Sequence, residues 1–139
     1  MAIAFWQDQY CTGDHQTDRE HQDLFALVNT LHDALTQAEH PATLRGILEE
    51  LASHTLDHFR TEEVLMQNHN YPDYGRHKQS HDRLEAKVRA LLQRIEADES
   101  ALTADIPAFL ADWLVHHIKG EDQKMISFLK TQVRDLVSC

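Results

Sequence analysis

The stretch PATLRGILEELASHTLDHFRTEEVLM, residues 41–66, carries the pattern that decides the fold. Its apolar side chains Leu44, Ile47, Leu48 and Leu51 recur three and four positions apart, as on one face of an α-helix, and Leu65 lies further along that face. The same face also carries His58 and Glu62, which are four positions apart. Pro41 suits the first turn of a helix, where its missing N–H leaves no hydrogen bond unmade. The stretch therefore predicts an amphipathic helix whose buried face includes a histidine and a carboxylate.

Three further segments repeat this pattern. One runs from about Thr17 to Ala38, one follows a turn at residues 68–75, and one begins near Asp105 after a polar connection at residues 97–103. The first two have apolar faces at Leu24, Val28, Leu31 and Leu35, and at Leu84, Val88, Leu91 and Ile95. The last has Ile106, Leu110 and Trp113, followed after a shift of phase by Met125 and Leu129. Four long helices joined by short loops predict an all-α, antiparallel up-down-up-down four-helix bundle. We expect one domain over residues 1–139, with an N-terminal arm at 1–16 and the bundle at 17–139.

Composition excludes several classes of protein. The chain has 139 residues, four glycines and three prolines, which favours long helices over a β-rich fold. Its formal net charge of −10 and lack of a basic run argue against binding to nucleic acid or an anionic membrane. No apolar run is long enough for a membrane span, and the first residues do not resemble a secretory signal. We therefore expect a cytoplasmic location.

No functional role is predicted for the N-terminal arm or for the two cysteines. The aromatic residues Phe5, Trp6 and Tyr10 are expected to anchor the arm on the bundle. The two cysteines, Cys11 and Cys139, lie at opposite ends of the sequence and form no CxxC pair. They are expected to be reduced thiols without a metal.

Potential metal ligands occur on the buried faces of all four predicted helices. Besides the pair in residues 41–66, they are His21, the pair His77 and His81, and the pair His117 and Asp122. Five histidines buried without a shared ligand would carry a large desolvation penalty. Imidazole and carboxylate together suit iron, and zinc, copper or manganese are alternatives. Seven protein groups are too many for one ion, so the pattern predicts two.

The spacing of His117 and Asp122 is irregular for a helix. Residues five apart are rotated by about 140° at about 100° per residue. Two groups at this angle could straddle a metal pair. Alternatively, a local π-helical widening at Gly120 would bring the two side chains closer together.

The remaining histidines are interpreted differently. Five of them lie in predicted loops or off the apolar faces and are expected to be solvated: His15, His32, His40, His69 and His116. His54 precedes His58 by one helical turn. It could donate a hydrogen bond to a ligand, or it could simply be a polar residue at the helix boundary.

The combined motif resembles the hemerythrin family in its single-domain bacterial form. The resemblance rests on His21, His58-x-x-x-Glu62, His77-x-x-x-His81 and His117-x-x-x-x-Asp122, and it covers nearly the whole chain. It implies two non-haem iron ions joined by a bridging oxo or hydroxo group. By the resemblance, three histidines hold one iron, two hold the other, and both carboxylates bridge: His77, His81 and His117; His21 and His58; Glu62 and Asp122.

The resemblance also implies a function. It predicts reversible O2 binding for storage, delivery or scavenging by a monomer that is not an enzyme, with O2 at the two-histidine iron. The residues expected around the bound O2 are Phe59, Trp113, Leu114, Ile118 and Met125, although the first four equally suit ordinary core packing. Met125 stands where many family members have a tyrosine. The alternatives are an oxygen or redox sensor, and a di-iron enzyme acting on peroxide or nitric oxide, although the paired Glu-x-x-His motifs of ferritin-like oxygenases do not occur.

Overall fold

The computed structural model describes residues 3–98 and 101–132. Five α-helices follow a 3₁₀ turn at Asp8–Tyr10: α1 (His15–Thr36), α2 (Pro41–Asn68), α3 (Tyr74–Ala97), α4 (Asp105–His117) and α5 (Gln123–Gln132). These described residues contain no β-strand. None of their helices is long and apolar enough to cross a membrane. The all-α prediction is confirmed, and the part of the fourth predicted helix after Gln132 lies outside the described residues.

The helices form a four-helix bundle. Helix α1 packs against α2 and α4, and α2 packs against α3. A π-helical turn at Ile118–Asp122 joins α4 to α5, so these two helices form the fourth long element of the bundle. The predicted bundle is therefore confirmed, with the fourth helix interrupted once.

Local hydrogen bonds explain how α1 begins. The carboxylate of Asp14 accepts a hydrogen bond from the backbone N–H of Thr17 at 3.1 Å, which satisfies a donor that the first turn leaves free. The helix therefore starts at His15, two residues before the predicted start. It ends at Thr36 rather than Ala38, because Ala38 adopts a left-handed conformation with φ of 52°.

The core of the bundle falls into two apolar clusters. Along α2, Glu62 separates Phe59 of the larger cluster from Met66 of the smaller one. Across the π-helical turn and into α5, Asp122 likewise separates Ile118 from Met125. A buried polar layer therefore lies between the two clusters.

The π-helical turn accounts for the irregular spacing of His117 and Asp122. A π-helical turn bonds residue i to residue i+5, so residues five apart lie above each other rather than about 140° apart. Both side chains are buried, and Nε2 of His117 lies 3.1 Å from Oδ1 of Asp122. The alternative of a widened turn at Gly120 is the one that the structure adopts.

Substituting Gly120 by alanine is expected to stabilise the protein by about 0.4–1 kcal/mol, because alanine restricts the unfolded chain more than glycine does. A Cβ atom at this position meets nothing within 4 Å, and Gly120 does not have positive φ. Urea unfolding measures the change. A loss of stability, or a loss of bound metal, would show that the π-helical turn requires glycine.

The N-terminal arm is held to α1 by two side chains. The side-chain oxygen of Asn29 accepts hydrogen bonds from the backbone N–H groups of Ile3 and Ala4, at 2.9 and 2.8 Å. The carboxylate of Asp18 accepts hydrogen bonds from both the backbone N–H and the hydroxyl of Thr12, each at 2.8 Å. These contacts fix the arm along α1 between Asp18 and Asn29.

Two expectations about the arm need correction. Trp6 and Tyr10 pack on the ring of Phe25, as expected for anchors, but Phe5 is 61% exposed and anchors nothing. Cys11 is disulfide-bonded, so the expectation of a reduced thiol at this position is wrong. Cys139 lies outside the described residues.

Candidate metal centre

Seven polar side chains converge in the buried layer, and each is at most 6% exposed. They form two overlapping groups, in each of which the potential ligand atoms lie within 4.8 Å of one another. One group has five members and the other has four: Glu62, His77, His81, His117 and Asp122; His21, His58, Glu62 and Asp122. The structure thus brings together every residue of the predicted ligand set, in the grouping that the family resemblance implies.

Glu62 directs one oxygen toward each group. Its Oε1 atom lies 3.0 Å from Nε2 of His81 and 3.5 Å from Nε2 of His77. Its Oε2 atom lies 3.2 Å from Nε2 of His58 and 3.6 Å from Nε2 of His21. A carboxylate in this position can bridge two cations.

Asp122 divides its oxygens in the same way. Its Oδ1 atom lies 2.9 Å from Nε2 of His77 and 3.1 Å from Nε2 of His117. Its Oδ2 atom lies 2.9 Å from Nε2 of His21. Because both carboxylates behave alike, the two groups share two anionic donors.

Most of the potential metal-ligand atoms are buried and have no hydrogen-bond partner in the protein. Atoms that are buried and make no hydrogen bond include Nε2 of His21, His58 and His77 and both carboxylate oxygens of Glu62 and Asp122. Buried polar groups are normally hydrogen-bonded, because desolvation without a partner is costly. Convergent imidazole nitrogens and carboxylate oxygens without partners fit a pair of metal ions, and this donor set suits iron.

In the metal-free chain, neighbouring charges strongly shift the pKa values of the buried histidines and carboxylates. Burial lowers the pKa of His58, but the carboxylate of Glu62 and the hydrogen bond to Glu20 outweigh burial and raise this pKa to about 10. Burial likewise opposes the raised pKa of His77, which Asp122 and Glu62 bring to about 9. For Glu62, burial raises the pKa, but the charge of His58 and contacts with other histidines hold it well below its ordinary value. Protons on the histidines therefore balance the carboxylates until a metal displaces them.

The metal-free chain is expected to lose stability as the pH rises above neutrality. The pKa of His58 is raised to about 10, so its stabilising contribution is complete below the ordinary histidine pKa of 6.5 and is lost as the pH rises through about 10. The depressed pKa of Glu62 has the opposite effect and destabilises the chain in acid. Urea unfolding of the metal-free chain at about pH 7 and about pH 9.5 tests this. Equal stability at both values would contradict the proposed charge balance.

Two aromatic rings cover the three-histidine group. Phe59 stacks on His81 with ring centroids 3.8 Å apart, and Trp113 stacks on His117 at 4.4 Å. Both residues were predicted to surround bound O2. In the structure their stacking fixes the ring planes of two potential ligands in the three-histidine group.

The other predicted pocket residues lie on opposite sides of the site. Leu114 and Ile118 are buried in the larger apolar cluster, and Ile118 is fully enclosed. Met125 is also fully enclosed, but it belongs to the smaller cluster with Met66. The arm adds a residue that the sequence did not single out, because the ring of Trp6 lies 6.5 Å from that of His21.

His54 does not join the buried groups. It is 47% exposed and lies 3.9 Å from the carboxylate of Glu50, on the same face of α2. With Glu20, Asp57 and His58 it lines a surface cleft of about 200 Å³. It is therefore an exposed residue in the interior of α2, and the expectation of a position at the helix boundary is wrong.

Three residues beside the ligands were not predicted. Each lies close to the outer Nδ1 atom of one ligand histidine. Glu20 lies 2.7 Å from Nδ1 of His58, and Glu63 lies 2.9 Å from Nδ1 of His81. Ser80 lies 3.2 Å from Nδ1 of His117. Glu20 and Glu63 are direct sequence neighbours of His21 and Glu62. One residue along a helix rotates a side chain by about 100°, so both looked like ordinary solvated carboxylates.

Comparisons with known proteins agree with this site. The family model described as the hemerythrin HHE cation binding domain matches residues 12–129. The bacteriohemerythrin of Pseudomonas aeruginosa strain LESB58 is 32% identical over 137 residues, covering 99% of this chain and 88% of that protein. The bacteriohemerythrin of Methylococcus capsulatus strain Bath is 32% identical over 124 residues, covering 88% of this chain and 94% of that protein.

The fold leads to the same family. The crystal structure of a wild-type hemerythrin superposes with a TM-score of 0.83 at 32% identity, and the match covers 88% of this chain and 95% of that chain. The matched family model spans most of the described bundle, including all seven buried ligand candidates. The chain therefore belongs to the hemerythrin family.

Proposed function

We propose that this protein binds O2 reversibly at a non-haem di-iron centre, for oxygen storage, delivery or scavenging. In this proposal His77, His81 and His117 would hold one iron, His21 and His58 would hold the other, and Glu62 and Asp122 would each offer one oxygen to both. When bound, the iron pair would supply the electrons that O2 takes up and returns.

The division of the carboxylate oxygens between two unequal groups is the observation that carries this proposal. Five residues surround one position and four surround the other. A metal site with fewer protein donors keeps room for an external ligand, whereas a saturated one does not. The position beside His21 and His58 is therefore the one that would accept O2.

The buried polar residues outside the site favour O2 binding over enzymatic turnover of a substrate. Besides the seven, the buried polar residues in the described part of the chain are Thr12, Thr17, Asp18 and Thr55. The first three lie in the joint between the arm and α1, and the hydroxyl of Thr55 donates to the carbonyl of Leu51 at 2.7 Å. The carboxylate of Asp18, the one acid among these four, is therefore occupied by hydrogen bonds from Thr12 and is not offered to a substrate, as the acid of an oxidase or peroxidase would be. We therefore propose that the protein is not an enzyme.

Anaerobic reduction followed by exposure to O2 tests the function. We expect two irons per chain and a visible absorption band that forms with O2, disappears when O2 is removed, and returns over repeated cycles. A single irreversible conversion, combined with turnover of peroxide or nitric oxide, would assign the chain to the di-iron enzymes instead.

Replacing Met125 by tyrosine is expected to change the rate at which the O2-bound absorbance is lost in air. A thioether offers no hydroxyl donor, whereas tyrosine would bring one into the enclosed space one turn beyond Asp122. Leu129→Met, one turn further along α5 in the same cluster, is the matched control for repacking. Equal rates in wild type and Met125→Tyr would show that the position has no influence.

Location and assembly are also part of the proposal. We propose a monomer in the cytoplasm, with O2 as its partner. Cell fractionation and light scattering test the two statements separately.

A further inference from the structure

The outer nitrogens of the five buried histidines differ in what they contact. The Nδ1 atom of His58 lies 2.7 Å from Glu20, and that of His81 lies 2.9 Å from Glu63. By contrast, the Nδ1 atoms of His21 and His77 are buried and have no hydrogen-bond partner. Each group therefore contains one histidine that is paired with a carboxylate.

We propose that Glu20 and Glu63 are positioning residues for the metal centre, and that Glu20 acts more strongly. Each carboxylate would hold the Nδ1 proton of its histidine, so that the Nε2 lone pair faces a metal ion. This inference rests on the proposed di-iron function and extends it to two residues outside the seven ligands.

The geometry defines the positioning role. In both histidines Nε2 faces the site, 3.2 Å from Glu62 in His58 and 3.0 Å in His81. A histidine that binds a metal through Nε2 must carry its proton on Nδ1, and an anionic acceptor there fixes the ring and makes Nε2 a stronger donor. Each contact also joins two helices, α1 to α2 through Glu20 and α2 to α3 through Glu63.

The two carboxylates differ in the positive charge beside them. Nζ of Lys78 lies 3.8 Å from Glu63 and offsets part of its charge. Among the described residues, Glu20 has no lysine or arginine partner, and its other hydrogen bond comes from the neutral amide of Gln16 at 3.2 Å. Glu20 should therefore donate more charge through His58 than Glu63 does through His81.

The two carboxylates also support metal positions that have different numbers of protein ligands. The group that contains His58 has four members, whereas the group that contains His81 has five. Loss of one well-positioned donor weakens a four-member site more than a five-member site. Both considerations rank Glu20 above Glu63.

The test compares metal release by Glu20→Gln, Glu63→Gln and Lys78→Gln, with Glu49→Gln as the matched control. Glu49 lies on α2, is 61% exposed and pairs only weakly with Arg45 at 4.0 Å. Glutamine keeps the shape of glutamate and an oxygen acceptor but removes the charge. We expect Glu20→Gln to lose iron to a chelator about 10–100 times faster than wild type, and Glu63→Gln to show a smaller increase in the same direction.

The reduction potential separates this role from a merely structural one. Removing the charge of Glu20 or Glu63 should raise the midpoint potential, because the oxidised ions lose electron donation. Lys78→Gln should lower it, because Glu63 regains its full charge. A structural defect would not produce opposite signs, and thermal unfolding of the metal-free variants checks that each one folds.

The inference would be overturned if Glu20→Gln and Glu63→Gln released iron at the wild-type rate and kept the wild-type midpoint potential. It would also be overturned if the midpoint potential shifted in the same direction in Glu20→Gln, Glu63→Gln and Lys78→Gln. The same release assay with zinc keeps the inference distinct from the proposed function, since imidazole ligands also suit zinc. Fewer than two irons per wild-type chain would contradict the di-iron proposal. Unchanged zinc release in both glutamate variants would contradict the positioning role itself.

Discussion

Substituting Glu62 by glutamine is expected to reduce bound iron from two ions per chain to fewer than one. Glu62 is fully buried and directs one oxygen to each group of ligands, so its replacement removes an anionic donor from both positions at once. Glutamine has nearly the same shape, but its neutral amide cannot bridge two cations. Iron analysis after gel filtration measures the change, and the O2-dependent absorbance should disappear with the iron.

Glu49→Gln is the control for this experiment, because Glu49 is an exposed residue of the same helix, α2. It should retain two irons. If Glu62→Gln also retains two, Glu62 does not bridge the metal positions.

Removal of iron is expected to lower the midpoint of thermal unfolding by more than about 10 °C. Without metal, the buried layer contains nitrogen and oxygen atoms that make no hydrogen bond. A ligand held at about 1,000 times its Kd contributes about 4 kcal/mol, and for a domain of this size each kcal/mol shifts the midpoint by about 3 °C. Calorimetry before and after treatment with a chelator measures the difference.

Reloading with ferrous iron should restore the original midpoint. In Glu62→Gln the chelator should have little effect, since that variant holds little metal at the start. Identical melting curves for the loaded and stripped wild-type protein would show that the buried layer does not depend on metal.

The sequence predicted the fold because each helix carries its apolar side chains on one face. The continuation of those faces into His58 and Glu62 on α2, and into His77 and His81 on α3, also indicated the buried polar layer. Spacing alone could not assign the histidines to two ions. That assignment came from the family resemblance, and the structure groups the same side chains in the same way.

Periodicity could not predict contacts made between helices. Glu20 and Glu63 lie off the buried faces of their own helices and reach histidines on the next helix. The sequence predicted the π-helical turn only as one of two alternatives, because the five-residue spacing of His117 and Asp122 does not by itself determine the backbone geometry. The contact of Trp6 with His21 depends on how the arm folds back over α1, which no pattern in residues 1–16 specifies.

The most direct test of the account is an anomalous-difference map from crystals of the iron-loaded protein. The account predicts two peaks per chain, about 3.5–4 Å apart, as in other two-metal sites. One should contact His77, His81 and His117, the other His21 and His58, and both should contact Glu62 and Asp122. A single peak, or a pair that does not share the two carboxylates, would contradict it.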